Sequence, residues 1–144
     1  MILIGIDPPK AMADCIVNDQ KNSLGLVYFK TTAHLLLYLH DVSIGDSPDF
    51  HVYIESTIGL PAWKDDRNPR VDNAIKRKIG MNQAFTQIII DWCELHNIKV
   101  TPVKPNENSM TKLNAQTFKQ ITGYQGKTNE HCRDAAMLIW GRTK

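Results

Sequence analysis

Short apolar runs separated by polar turns dominate the first third of the chain. Three of these runs contain the β-branched or aromatic residues that strands favour and predict strands, at residues 2 to 6, 14 to 18 and 24 to 30. The polar residues 19 to 23 join the second run to the third and predict an antiparallel meander. A helix from Thr31 or Thr32 to about Asp41 and a strand from Phe50 to Glu55 follow. This order predicts an α/β fold with a mixed sheet.

A helical period dominates the middle of the chain. Apolar residues recur at spacings of 4, 3, 4 and 3 and predict a long helix over about 71 to 97; they are Met81, Phe85, Ile88, Trp92 and Leu95. Ile89, Ile90 and Cys93 widen this surface, which suits a helix packed on the sheet and on a second subunit. The candidate dimer interface is the helix surface with Met81, Phe85, Ile88 and Trp92. A strand over 98 to 103 and helices over about 111 to 122 and 129 to 141 complete the prediction.

Length and composition restrict the class of protein. A chain of 144 residues fits one domain, covering residues 1 to 144. Because no segment approaches the roughly 20 apolar residues that span a bilayer, and the N-terminus lacks the features of a secretory signal, we expect a cytoplasmic protein without a membrane partner. The three cysteines lack a C-x-x-C spacing, so we expect reduced thiols.

Charge is distributed unevenly along the chain. Residues 1 to 63 carry three basic and seven acidic side chains, whereas residues 99 to 144 carry eight basic and three acidic ones. An acidic half followed by a basic half suits a phosphate substrate that meets a carboxylate site. The alternative is a solvated basic surface.

Four residues from distant segments form a candidate hard-metal site. Asp7 and Glu55 each end a predicted strand, and His131 and Asp134 lie three apart on the last helix, a spacing that places them on one face. Clustered carboxylates repel one another unless a divalent cation lies between them. Oxygen ligands favour Mg²⁺, and the imidazole widens tolerance to Mn²⁺. Two ions per subunit would activate water and stabilise the leaving oxygen in phosphodiester hydrolysis.

Each of these residues also has an ordinary structural alternative. Asp7 can cap a turn before Pro8, and Glu55 can simply end its strand. His131 can lie at a helix start, and Asp134 can be solvated. Glu130, beside His131, is a rival for the fourth ligand position.

Three motifs resemble the RuvC-type branch of the RNase H-like superfamily. They are Ile4-Gly5-Ile6-Asp7-Pro8, Tyr53-Ile54-Glu55 and His131-Cys132-Arg133-Asp134-Ala135-Ala136. The resemblance implies an RNase H-like sheet, with a three-stranded antiparallel meander plus parallel strands, flanked by helices. It also implies a homodimeric endonuclease that cuts four-way DNA junctions with paired nicks. Asp7, Glu55, His131 and Asp134 then correspond to metal ligands, and Lys104 and Lys112 to phosphate contacts.

Other residues are candidates for DNA contact on their own chemistry. Trp63, in the loop after the Glu55 strand, either stacks on unpaired bases or anchors its own loop. Lys76 begins a basic run that either contacts DNA or forms a solvated helix face. Lys112 and Lys119 are seven apart, so on one helix they would share a face. Arg133 is expected to point away from the face of His131 and Asp134.

The predicted function is therefore a Mg²⁺-dependent or Mn²⁺-dependent, structure-selective DNA endonuclease, a Holliday junction resolvase. Its partners are branched DNA and a second copy of the chain, with no small-molecule cofactor. One alternative is a non-catalytic or RNA-processing nucleic-acid-binding protein of the same fold. A further alternative, from Gly5-Ile6-Asp7, is an actin-like ATPase fragment, although a second phosphate loop is not visible in the sequence.

Overall fold

Five strands form one mixed sheet in the order β3-β2-β1-β4-β5. The computed structural model describes residues 1–17, 22–43, 49–59, 69–105 and 112–142. In chain order, the elements are β1 Ile2–Asp7, β2 Ala11–Ile16, β3 Ser23–Tyr28, α1 Thr32–Ser43, β4 Phe50–Glu55, α2 Pro69–Leu95, β5 Lys99–Val103, α3 Ala115–Thr122 and α4 Glu130–Trp140. The first three strands are antiparallel, whereas β4 and β5 run parallel to β1. The predicted meander and mixed sheet are therefore confirmed.

The strand β1 is the middle strand of the sheet, and its side chains reach two separate cores. Leu3 belongs to the core that α4 covers, whereas Ile4 and Ile6 belong to the core shared with α1 and α2. Alternation of side chains along a strand produces this division. Burying both faces of β1 explains why it is apolar almost throughout.

Gly5 allows α4 to lie very close to the sheet. A Cβ atom at this position would overlap the carbonyl oxygen of Ala135 in α4. The absence of a side chain at Gly5 therefore lets α4 pack closely on β1, two residues before Asp7 at the end of that strand.

The face of α2 that packs into the core differs from the stripe of apolar residues that the sequence predicts. Its buried residues are Thr86, Ile89, Ile90 and Cys93. Met81, Ile88 and Leu95 of the stripe are instead exposed, at 56%, 50% and 81%. The hydroxyl of Thr86 donates to the carbonyl oxygen of Asn82, which satisfies this polar group inside the core.

Among the described helices, none is long and apolar enough to cross a membrane.

The helix α3 begins later than the sequence predicts. Asn114 is its N-cap, because the side-chain oxygen accepts from the backbone N–H of Thr117 at 2.8 Å. Lys112 lies before this cap with a φ of 62°. The prediction that Lys112 and Lys119 share one helix is therefore wrong.

Candidate active site

The parallel pairing of β1 with β4 brings two carboxylates to one edge of the sheet. Ile6 is in register with Ile54, so Asp7 and Glu55 follow these partners at the carboxyl ends of adjacent strands. Because both residues are anchored by buried strands, the positions of their side chains are restricted by the core below them.

The last helix supplies two further groups to the same edge. Its N-cap is Asn129, whose side chain accepts from the N–H of Cys132 at 2.8 Å. His131 and Asp134, two and five positions after this cap, share a face of the helix. Nδ1 of His131 lies 3.0 Å from Oδ2 of Asp7, and Oδ1 of Asp134 accepts from the N–H of Lys112 at 2.8 Å.

All four residues line one open cleft of about 550 Å³. The other residues around it are Lys112, Leu113, Asn114, Glu130 and Arg133. Glu130 is 72% exposed, and its Oε1 atom lies 3.7 Å from Nε2 of His131. Glu130 therefore lies where it can compete with His131 for the fourth ligand position.

The electrostatics of the cleft favour an added positive charge. Burial raises the pKa of Asp7 to about 6, partly offset by the contact with His131. Burial also raises the pKa of Glu55 to about 7, and the negative charges of Asp7 and Asp134 raise it further. Carboxylates that are partly desolvated and repel one another would be stabilised by a divalent cation.

The donor chemistry of the cleft fits such a cation. Three carboxylates and an imidazole are a donor set that Mg²⁺ or Mn²⁺ accepts. As the side chains stand in the described ranges, no three His, Cys, Asp or Glu residues form a group that could hold an ion. The fit therefore rests on which donors line the cleft and on the raised pKa values of Asp7 and Glu55.

Arg133, to which the sequence assigns no role, lines the cleft. Its Nε donates to the carbonyl oxygen of Leu113 and its Nη1 to Oγ1 of Thr128, both at 2.8 Å. Although its position on α4 differs from that of His131 and Asp134, its long side chain reaches the wall of the cleft. Arg133 thereby holds residues 112–114 against α4 and positions Lys112.

A second, smaller cleft of about 270 Å³ lies on the α2 side of the carboxylates. Asp7 and Glu55 line it together with Lys78 and Asn82. Nδ2 of Asn82 donates to the carbonyl oxygen of Pro8 at 3.1 Å, which fixes α2 to the turn after β1. The basic run that includes Lys78 is predicted either to contact DNA or to form a solvated helix face. The spacing of four between Lys78 and Asn82 places these two residues on one helix face.

Two other predicted DNA contacts, Lys104 and Lys76, do not line the main cleft. Lys104 is exposed and borders a different cleft, with Ser56 and Gln87. Nζ of Lys76 lies 2.8 Å from Oδ2 of Asp72, an ion pair within one turn of α2. Trp63 lies outside the described residues. Of the predicted DNA contacts in the described ranges, Lys112 is the one that lines the carboxylate cleft.

Comparison with known proteins gives a likeness at the level of structure. No family model and no curated protein sequence matches the chain. The structure of RuvC from Thermus thermophilus matches with a TM-score of 0.52 and 14% identity, over 96% of this chain and 90% of that one. The chain has a RuvC-type fold.

A second RuvC structure gives the same result. T. thermophilus RuvC in complex with a Holliday junction substrate matches with a TM-score of 0.54 and 16% identity, again over 96% of this chain and 90% of that one. The RuvC likeness confirms the predicted RNase H-like α/β class. At this level of identity, the similarity establishes the fold.

Proposed function

We propose that the protein is a metal-dependent endonuclease that cuts branched DNA and resolves four-way junctions by paired nicks. The observation that carries this proposal is the cleft in which Asp7 and Glu55, from adjacent strands, face His131 and Asp134 from α4. The likeness to a RuvC that was solved with a Holliday junction substrate supports a branched DNA substrate.

The ligands that we propose for Mg²⁺ or Mn²⁺ are Asp7, Glu55, His131 and Asp134, with Glu130 as the alternative to His131. When bound, the cation supplies an activated water and neutralises charge on the phosphate. We expect two ions per subunit because four or five donors line the cleft, and no organic cofactor is required for phosphodiester hydrolysis.

The residues of the chain have distinct roles in this proposal. The strand ends hold Asp7 and Glu55 at fixed positions relative to the DNA. His131 orients the carboxylate of Asp7 through the contact at Nδ1. Lys112 supplies positive charge beside these carboxylates. Its charge lowers the pKa of Glu55, although the larger effects of burial, Asp7 and Asp134 keep that pKa raised. This charge offsets repulsion between the acidic cleft and an approaching phosphate.

Paired nicks on a symmetric junction require two related sites, so we propose a homodimer. The exposed apolar residues of α2 are the candidate interface, since Met81, Ile88 and Leu95 lie outside both cores. A single domain over residues 1 to 144 and a cytoplasmic location remain part of the same proposal.

Crystals soaked with Mn²⁺ test the ligand assignment. We expect anomalous peaks within bonding distance of Asp7 and Glu55, and no peak there in crystals of the Asp7→Asn variant. The peaks would also decide between His131 and Glu130. A Mn²⁺ site confined to another part of the surface would refute the assignment.

A further inference from the structure

A groove of about 480 Å³, separate from the clefts described above, lies between α3 and the segment that leads to α4. Lys119 and Tyr124 line it, together with Lys127 and the side-chain amides of Gln116 and Gln125. None of these residues lines the carboxylate cleft. The proposed nuclease chemistry leaves this groove without a role.

The floor of the groove is part of the packed core. The Tyr124 ring meets Phe118 edge to face, with centroids 6.3 Å apart and planes at 67°, and Phe118 is completely buried. Gly126 lies against the Tyr124 ring so closely that a Cβ atom there would overlap the ring. The aromatic floor is therefore held in place by its neighbours.

The loop that forms one wall is also fixed by hydrogen bonds. Gly123 ends α3 with a φ of 73°, and its N–H donates to the carbonyl oxygen of Lys119 at 2.8 Å. The N–H of Tyr124 donates to the hydroxyl of Thr122, and Nε2 of Gln125 donates to the carbonyl oxygen of Gly123. These bonds order residues 122 to 125, which lie between Lys119 and Lys127 in the chain.

The charge of this region has one sign. Between Lys112 and Thr128, the sequence contains three lysines and no aspartate or glutamate. Lys119 and Lys127 are exposed at the groove, and the amides beside them can donate hydrogen bonds. Such a lining complements phosphate oxygens and repels cations.

The groove adjoins the carboxylate cleft at Arg133 and at the start of α3. Arg133 lines the cleft and donates to Thr128, which lines the groove. On the other side, Asn114 lines the cleft and the next residue, Ala115, lines the groove. A nucleic acid strand that leaves the cleft past Lys112 therefore meets Lys119 and Lys127 next.

We propose that this groove binds the phosphate backbone of the DNA that extends from the active site. Lys119 and Lys127 contact successive phosphates, while Gln116 and Gln125 donate to phosphate or sugar oxygens. The proposal rests on the proposed nuclease function, since it takes the cleft as the place where the DNA is held. The groove adds affinity and fixes the direction of one junction arm.

The first test measures binding of a labelled four-way junction by the full chain across a range of salt concentrations. Replacing both lysines, K119A with K127A, should weaken binding roughly tenfold and reduce the slope of log K against log salt by about 2. Lys99→Glu is the matched control, because it changes net charge by the same amount at an exposed site near the start of β5. An unchanged affinity and salt slope in the double variant would overturn the groove while leaving the nuclease proposal intact.

A second test needs no variant and so does not depend on folding of a mutant. Lysine acetylation of the free protein and of the junction complex, read by mass spectrometry, should show protection of Lys119 and Lys127 by DNA and none of Lys99. Equal acetylation of Lys119 and Lys127 with and without DNA would overturn the proposal. Failure of the unmodified protein to bind any branched DNA would instead reject both this groove and the proposed function.

Discussion

Nδ1 of His131 lies 3.0 Å from Oδ2 of Asp7 and joins the last helix to the first strand across 124 positions of the chain. The contact fixes the imidazole orientation and directs Nε2 toward Glu130, whose Oε1 atom is 3.7 Å away. It also partly offsets the cost of burying Asp7, whose side chain is only 14% exposed. Asp7 and His131 therefore act as a pair in the metal-free protein.

The first prediction concerns the pH dependence of stability without metal. Burial raises the pKa of Asp7 to about 6 and that of Glu55 to about 7. A carboxyl with a raised pKa in the folded state stabilises the fold fully below its unfolded pKa, and this contribution is lost as the pH rises through the folded value. We therefore expect the melting temperature in chelator to fall by roughly 3 °C or more between pH 5 and pH 8.

Two variants separate this effect from general titration. Replacing the two carboxyls, Asp7→Asn with Glu55→Gln, should flatten the decrease in melting temperature, whereas Asp41→Asn at an exposed helix position should preserve it. A melting temperature that rises steadily from pH 5 to pH 8 in chelator would contradict the raised pKa values.

The second prediction concerns the close approach of α4 to β1. Gly5→Ala places a methyl group against the carbonyl of Ala135, so we expect a loss of about 1 to 3 kcal/mol in the free energy of unfolding. Gly80→Ala is the control, because a Cβ atom there meets nothing within 4 Å. Because Gly80 is an exposed position of α2, this change should raise the free energy of unfolding by about 0.5 to 1 kcal/mol. Denaturant unfolding measures both, and equal stability of the two variants would contradict the packing.

The sequence predicts the carboxylate positions better than it predicts their surroundings. Asp7 and Glu55 could be located because strand ends are visible as the last residues of apolar runs. The face of α2 that meets the sheet could not, since the helix has apolar residues on two faces and the buried one contains Thr86. Periodicity finds a helix but does not choose between two apolar faces.

Long side chains and local caps account for the other errors. Arg133 lies off the ligand face of α4, yet its guanidinium reaches the carbonyl of Leu113. A helical wheel describes the direction of Cβ and not the reach of an arginine. For Lys112, the sequence contains a usable signal. Asparagine is a favoured N-cap residue, and Asn114, two positions after Lys112, marks the start of α3.

The third prediction compares two lysines proposed to contact DNA. Lys112 lines the carboxylate cleft, whereas Lys76 forms an ion pair with Asp72 on α2. We expect Lys112→Ala to lower the nicking rate by roughly tenfold to a hundredfold, and Lys76→Ala to change it by less than about threefold. Single-turnover nicking of a labelled junction gives both rates, and a larger loss from Lys76→Ala would reverse the assignment.

The fourth prediction concerns the exposed face of α2. Ile88→Lys introduces charge into the proposed interface and should convert a dimer to a folded monomer in sedimentation experiments. Gln87→Lys provides the matched control, because it adds the same side chain at the adjacent exposed position. If Ile88→Lys sediments as the unmodified protein does, the dimer interface lies elsewhere.

Nicking of a four-way junction, with each strand labelled in turn, tests the nuclease account most directly. The account predicts symmetric nicks in two opposing strands with Mg²⁺ or Mn²⁺, none in chelator, and a loss of roughly a thousandfold or more in Asp7→Asn, which still binds the junction. Asp41→Asn should cut at the unmodified rate. Absence of metal-dependent nicking by the unmodified protein, or cutting by Asp7→Asn at the unmodified rate, would contradict it.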